Sequence, residues 1–496
     1  MNIRVKLADF NHKFEISASN CSARLPAGAV SIPENCVVEP SLPEKIGFRY
    51  RFFHLHSENE AQKLLNLLIH KTGADLTIVQ PGEKWDGRGI GRWWVISEPF
   101  NSAREARTFS EEIARRLPAN VPGRMRIEGG LFSEYPPHPS QNVRILTKDG
   151  KELCSDKIIR LHAPAGITVK QAPVGETFHW EHLEDLRFSG IIEIRPGQNG
   201  ILIINEIPLE EYLASVNSSE MSAHAPLEFL KAQTIAARST VAATKGCHHY
   251  GEPFDLCNGD HCQCYYGVSR IHERSQEAAE LTAGLTLVHD GVIADARYAK
   301  TCGGVMETFD NVWENYDPPY LRPKFDGPGQ DYLMEDPGSY ISDSPDCWCN
   351  PELYPYPDYF DYAKPYFRWN FRYGNQELAH LLKTETGIDA SEISDIKILR
   401  RGKSGRIVSL KIIGEKEIKI DGELNIRRAF SESHLPSSCF TIERTGGDFI
   451  IKGAGWGHGV GMCQMGALNM SLAGHTCAEI LAHYYPEAEL VDFFKS

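Results

Sequence analysis

Residues 209–267 read "LEEYLASVNSSEMSAHAPLEFLKAQTIAARSTVAATKGCHHYGEPFDLCNGDHCQCYYG". Two helices are expected here, "PLEEYLASVNSSEM" opening at Pro208 and "PLEFLKAQTIAARSTVAAT" opening at Pro226, since proline suits a first helical turn. Glu220 falls at the end of the first, beside the small polar Ser218 and Ser219. A carboxyl in such a partly desolvated junction can have a raised pKa and serve as a general acid. The plain alternative is a glutamate that caps or pairs at the surface. The second half of the stretch, residues 247–267, holds Cys247, Cys257, Cys262 and Cys264 with His248, His249 and His261. Soft thiolates beside imidazoles suit tetrahedral zinc. Two disulfides, or a catalytic zinc with an open position, are the competing readings.

Working outward, residues 142–206 alternate apolar and polar between turn residues, as in "GIIEIRPGQNGILIINE", and read as strands. Downstream, a strand is expected near "RYAKTCGG", then a loop-rich stretch dense in Pro, Tyr and Asp. Strands return at "SDIKILRRG", "IVSLKIIG" and "EIKI", and "CAEILAHYY" reads as a closing helix. Just before it lies "GAGWGHGVGMCQMGA", residues 453–467, where glycines permit positive φ and close backbone approach. Towards the N-terminus, residues 1–44 read as a separate β segment. Residues 45–132 carry a weak repeat at an offset of 45 residues. "FRYRFFHLHSENEAQKLLNLL" and "WWVISEPFNSAREARTFSEEI" each set an aromatic strand before a capping serine, Ser57 or Ser102, with glutamate three residues on. Strand-like "ADLTIVQPG" and "GRMRIEGG" follow, so the unit is β-α-β twice. The Pro-rich "SEYPPHPSQ" separates this accessory domain from the region 142–496.

The expected fold class is α+β: a mostly antiparallel, β-rich catalytic region around a helical pair, with a small α+β accessory domain. The net charge of −14 argues against non-specific nucleic-acid binding and against an anionic membrane surface. No run of 18 apolar residues suggests a membrane-spanning helix. The N-terminal "MNIRVKLADFNHKFEI" alternates like a strand and has no apolar core of a secretory signal. The 13 cysteines are odd in number and spread along the chain, but four of them crowd into residues 247–264, which favours a metal over a disulfide framework.

In the order of its motifs the chain resembles the stage II sporulation protein D and amidase-enhancer (SpoIID/LytB) family. The matching pieces are "EYLASV…EM", "LKAQTIAARS", "FDLC…HCQ", "CGGVMETFDNVW", "PYL", "LNIRRAF…LPSSCF", "GWGHGVGMCQMGA" and "ILAHYYPEAEL". They run collinearly from about residue 142 to the C-terminus. The accessory repeat resembles the SPOR-type peptidoglycan-binding domain, without a specific motif.

The resemblance implies a peptidoglycan lytic transglycosylase with Glu220 as its single acid/base, and a structural zinc. Its signature points to Cys257, His261 and Cys262 as ligands with an upstream histidine. His249 is the chosen fourth ligand; His248 or Cys247 are substitutes, and Cys264 leaves the count ambiguous. Substrate-binding candidates are Lys231, Gln233 and Arg238 on the second helix, Thr301, Gly303 and Gly304 in "TCGG", and His458 and Gln464 in the glycine-rich motif. A solvated helix face or a buried turn is the plain alternative for these. Tyr212 and Tyr298 either stack on sugars or sit in the core. The expected partners are peptidoglycan glycan strands and, in an amidase-enhancer reading, a cell-wall amidase. The substrate implies the cell envelope or periplasm, while the absent leader leaves a cytoplasmic role open. The chain departs from the family pattern at Cys463, where serine is common. It departs again in its long cysteine-bearing insertion, 323–372, where Cys347 and Cys349 stand too close for an easy mutual disulfide.

Overall fold

The strand Ile201–Pro208 begins with four buried residues, Ile201, Leu202, Ile203 and Ile204. Such an unbroken apolar run belongs to a strand covered on both faces. In the computed structural model it lies inside a seven-stranded sheet. The order is Leu256–Cys257, Asn2–Phe10, Ile201–Pro208, Ile191–Pro196, Ile159–His162, Cys21–Leu25, Gly28–Ile32. All neighbours are antiparallel except Asn2–Phe10 with Leu256–Cys257, which run parallel. A six-stranded antiparallel sheet draws Phe14–Ser17 and Asn35–Glu39 together with four strands from residues 143–188. The first 44 residues therefore share both sheets with residues 142–208 instead of standing apart as expected. Strand pairing is non-local, and local alternation carries no partner information.

The structure describes residues 1–492 apart from 27, 56, 86–87, 90–91, 117–129, 177–180, 314–316, 330–336 and 388–391. Two compact units emerge. One comprises Met1–Glu176, Trp180–Met221 and Val241–Ala283, and the other chiefly Ser222–Thr240 and Gly284–Ser496. The α+β class holds for both.

Within the first unit, residues 47–134 form a four-stranded antiparallel sheet in the order Leu131–Glu134, Gly47–Leu55, Trp93–Ser97, Leu76–Val79. Helices Glu58–Thr72 and Ala103–Arg116 complete two β-α-β units. The strand order, fourth-first-third-second, is that of the split β-α-β arrangement. Ser57 Oγ accepts the Glu60 N–H and Ser102 Oγ accepts the Glu105 N–H, each at 3.2 Å, so both serines cap their helices as expected. Leu65, Leu68, Leu76, Val95 and Ile113 form its core. The strand expected at "GRMRIEGG" lies, but for Gly130, outside the described residues.

The second unit packs two three-stranded antiparallel sheets, Arg368–Tyr373 with Asp448–Ala454 and Phe440–Thr445, and Asp395–Arg401 with Ile407–Ile413 and Glu417–Asp421. Helices Asn375–Thr386 and Glu423–Ala429 contribute Leu378, Leu382 and Ile426 to the same core. Tyr298–Ala299 pairs parallel with Met462–Cys463, immediately before helix Gln464–Leu472. Among the described residues no helix is long and apolar enough to cross a membrane.

Candidate functional site

The Glu220 helix, Leu209–Glu220, starts behind Pro208 with Glu210 and Glu211 in its first turn, where acidic side chains suit the helix dipole. Its buried face, Tyr212, Leu213 and Val216, packs inward and leaves Glu220 half-buried as the last helical residue. The loop at 263–267 is fastened to this helix. Tyr212 Oη donates to Gln263 Oε1 at 3.0 Å and Ser215 Oγ to the Gly267 carbonyl at 2.5 Å. The Cys264 N–H donates to Glu220 Oε1 at 3.0 Å. One carboxylate oxygen is thus held by a fixed backbone donor.

The loop carrying that donor is also the Cys–His loop. One ligand atom from each of His249, Cys257, His261 and Cys262 lies within 4.8 Å of the others. His249 Nε2 is 3.3 Å from Cys262 Sγ, and His261 Nδ1 is 3.5 Å from Cys262 Sγ and 3.8 Å from Cys257 Sγ. The Nδ1 of His249 meets the Glu252 carboxylate, the outer partner that orients a metal-binding imidazole and fixes its tautomer. Hydrogen bonding with Cys262 draws the Cys257 thiol far below its ordinary range, burial opposing it and His249 and His261 adding to it. Burial disfavours a charge on His249, yet its bonds to Cys257 and Glu252 carry its pKa up to about 9. The donor set fits a single tetrahedral metal ion. His248 Nδ1 stands 3.8 Å from Cys262 Sγ, beside the set. Cys264 Sγ turns to Asp260 Oδ1 at 3.2 Å. Asp260, an exposed second carboxylate near the Glu220 loop, carried no motif and was not picked out by sequence reasoning.

The N-terminal strand supports this loop. Val5 and Lys6 pair with Leu256 and Cys257, and Arg4 Nε donates to the Pro253 carbonyl at 2.9 Å. The guanidinium of Arg4 also pairs with Glu193 at 2.8 Å and Glu206 at 3.1 Å.

The expected substrate-binding residues fall in the second unit, whereas Glu220 and the Cys–His set fall in the first. Burial corrects several of them. Gln233, Arg238, Thr301 and Gln464 are no more than 1% exposed, which leaves them no face for a sugar. Gln464 Nε2 donates to Gln233 Oε1 at 3.2 Å, and Arg238 donates to the Leu285 carbonyl at 3.0 Å. Thr301 exchanges backbone hydrogen bonds with Trp456. Gly303 and Gly304 adopt positive φ in a packed turn whose Gly303 carbonyl accepts from Tyr340 and Arg368. These residues build a frame. Periodicity places polar residues on one helix face, but only the fold tells a buried hydrogen-bond network from a groove lining. Lys231 pairs with Glu228 at the surface. Tyr212 is core.

His458 is half-buried against Trp313, with ring centroids 4.7 Å apart, and its Nδ1 accepts the Val460 N–H at 3.0 Å. Desolvation, then the charges of Arg297, Arg406 and Arg427, push its pKa well below the ordinary value, while a bond to the Tyr298 backbone opposes this. The imidazole is therefore neutral near pH 7. Gly459, at φ 75°, sits where any Cβ would strike the Arg406 guanidinium. In the same motif Trp456 keeps part of its surface open. The Tyr366 ring lies 4.3 Å from it, half-exposed Tyr362 lies 6.2 Å away, and Lys300 Nζ stands 5.9 Å over its face. This aromatic surface went unnoticed in the sequence, since its tyrosines lie some ninety residues upstream of the tryptophan.

Residues 197–289 match the stage II sporulation protein (SpoIID) family, and residues 307–461 match a domain of unknown function, DUF8618. An uncharacterized protein of Brachyspira hyodysenteriae is 26% identical over 368 residues, covering 72% of this chain and 88% of that protein. The amidase enhancer of Bacillus subtilis is 27% identical over 307 residues, 57% of this chain but only 40% of that protein. The stage II sporulation protein D of Bacillus amyloliquefaciens is 23% identical over 301 residues, 58% of this chain and 75% of that protein. Glu220 and all four members of the Cys–His set lie inside the first matched segment, so the candidate site falls in the part of the chain that is similar to the SpoIID family.

Proposed function

We propose that this protein is a peptidoglycan lytic transglycosylase with Glu220 as its single acid/base. The observation that supports it most is the Glu220 carboxylate, half-buried at a helix end and held at 3.0 Å by the Cys264 amide. A carboxyl so fixed keeps one geometry through both proton transfers. As acid it protonates the bridging glycosidic oxygen while the bond from that oxygen to the anomeric carbon breaks. As carboxylate it then takes the proton of the muramoyl C6 hydroxyl, whose oxygen closes onto the anomeric carbon and leaves a 1,6-anhydro end. The attack is intramolecular, so orientation supplies rate that a hydrolase draws from a second carboxylate.

His249, Cys257, His261 and Cys262 would hold a structural zinc. Two thiolates and two imidazoles complete a tetrahedron and leave no position for a reacting water. Its contribution is to fix the loop that presents the Cys264 amide. Glycan strands, including those stripped of stem peptides, are the proposed substrate, which lies in the cell envelope. The surface of Trp456, Tyr366 and Tyr362 suits stacking on sugar rings, since aromatic side chains offer an apolar body with a polar tip. The split β-α-β arrangement of residues 47–134 supports a SPOR-like role as a second glycan contact.

The amidase-enhancer name of the Bacillus subtilis relative favours one second reading, a glycan-binding protein that stimulates a partner cell-wall amidase without cutting. Incubating purified protein with denuded glycan strands and weighing the products separates the two. Anhydro-ended fragments that vanish in Glu220→Gln support the transglycosylase. Binding without products supports the enhancer, and reducing ends without the anhydro ring indicate a hydrolase.

A further inference from the structure

The second unit contains a cluster that the proposed function does not use. Cys302, Asp326, Cys349 and Cys463 are all buried, and one ligand atom from each lies within 4.8 Å of the others. They arrive from four separate segments: the "TCGG" turn, the loop after Phe325, the "DCWCN" loop, and the residue that caps helix Gln464–Leu472. We propose that these four side chains form a second metal site, one that binds a single tetrahedral zinc ion and serves the structure.

Distances support a single ion. Cys302 Sγ lies 3.7 Å from Cys349 Sγ and 3.2 Å from Asp326 Oδ2. A zinc–sulfur bond of about 2.3 Å gives a tetrahedral sulfur–sulfur edge of about 3.8 Å. An iron–sulfur cluster interposes several atoms between its cysteines and would not fit within this spacing. A Cys302–Cys349 disulfide would use only two of the four groups, leaving Cys463 and a fully buried carboxylate beside it.

Backbone amides are aimed at two of the sulfurs. Cys463 Sγ accepts the Cys302 N–H at 3.2 Å and the Gly466 N–H at 3.4 Å, and Cys302 Sγ accepts the Gly304 N–H at 3.3 Å. Cys463 also stands at the N-terminus of a nine-residue helix, which favours a thiolate. The carboxylate is aimed from behind. Lys324 Nζ meets His483 Nδ1 at 3.2 Å, so the His483 Nε2–H faces Asp326 Oδ1 at 3.3 Å, and Tyr484 Oη donates to the same oxygen at 2.8 Å. Oδ2 is thereby left for the sulfur side, as outer partners orient a ligating carboxylate. Gly466 gives Asp326 its room, since a Cβ there would meet Oδ2 at 2.5 Å. Three thiols and a carboxylic acid bring no positive charge of their own, and burying them ionised is costly without a cation. Cys347, with its Sγ 3.8 Å from Cys349 Sγ, lies just outside the set.

The test is a count of bound ions on the unmutated full-length chain, purified under reducing conditions with zinc supplied, by native mass spectrometry. Two zinc ions per chain are expected, one for each cluster. Cys349→Ser and Asp326→Asn should each lower the count by one, and Cys262→Ser should lower it by one independently. Cobalt loaded into Cys262→Ser should give the thiolate-to-cobalt absorption of a sulfur-rich tetrahedral site, lost on adding Cys349→Ser. An unmutated chain that binds no zinc, a count unchanged by Cys349→Ser, or a Cys302–Cys349 disulfide in the mapped peptides overturns the proposal. The ion count on the unmutated chain stands even if a variant fails to fold, and it does not depend on glycan cleavage.

Discussion

The two clusters of candidate metal donors share a four-residue set with ligand atoms within 4.8 Å of one another, and they differ in donor type, burial and spread along the sequence. The Cys–His set of the first unit is drawn from residues 249–262, is partly exposed, and lies in the loop that gives Glu220 its amide partner. The Cys–Asp set of the second unit is fully buried and spans 161 positions, from Cys302 to Cys463. A set confined to one loop shapes that loop, whereas a dispersed set ties together segments that would otherwise need a larger apolar core. The stretch 323–372 contributes Asp326 and Cys349 to the dispersed set.

Chelation probes this contrast with the largest effect, because structural zinc contributes about 10–16 kcal/mol in small zinc-dependent folds. The partly exposed Cys–His set should release its ion first and glycan cleavage should fall with it, while the buried set holds its ion longer. Time-resolved ion counts in a strong chelator check this, and simultaneous release would erase the distinction. Next in size, Glu220→Gln should lower cleavage by about 10²–10⁴-fold, the usual range for a general acid/base, with both ions retained. Loss of metal in that variant would make Glu220 a support for the loop instead of its beneficiary. Gly466→Ala should destabilise the second unit by about 1–3 kcal/mol through overpacking against Asp326 and Tyr484. Chemical denaturation followed by a probe in that unit reads it, and a neutral result would show that the carboxylate has slack.

A pH series separates the units more gently. His458 is held neutral, with a folded pKa well below its ordinary value of 6.5, so below about pH 6.5 the unfolded chain takes up a proton that the folded chain refuses. Stability therefore falls as pH drops below that value, by up to about 1.4 kcal/mol per pH unit from this group, and is fully present above it. His458→Gln should flatten the slope, as urea unfolding between neutral and mildly acidic pH would reveal. Smallest of all, Lys231→Ala removes a surface pair with Glu228 and should cost less than about 1 kcal/mol. A large loss of glycan binding in that variant would return Lys231 to the substrate.

Features written in short stretches were legible beforehand. The capping serines Ser57 and Ser102, the Glu220 helix and the set His249, Cys257, His261, Cys262 all depend on spacings of a few residues, and each stands where local chemistry put it. Features made by distant segments were not. Nothing near Asp326 announces three thiols, and nothing in Asn2–Phe10 names Ile201–Pro208 as its partner. The polar residues Gln233, Arg238, Thr301 and Gln464 misled in the opposite direction. They have the chemistry of a sugar site, but they spend their hydrogen bonds inside the fold.

The pairing of Val5 and Lys6 with Leu256 and Cys257 also sets a schedule. Ribosomes add about 5–20 residues per second, so the opening strand emerges tens of seconds before the segment it must flank. Through that interval Val5 and Leu7, buried in the finished protein, have no shelter on that side. The nascent chain thus offers a chaperone an early foothold, and the Cys–His loop cannot close on that strand until about 250 further residues have been made.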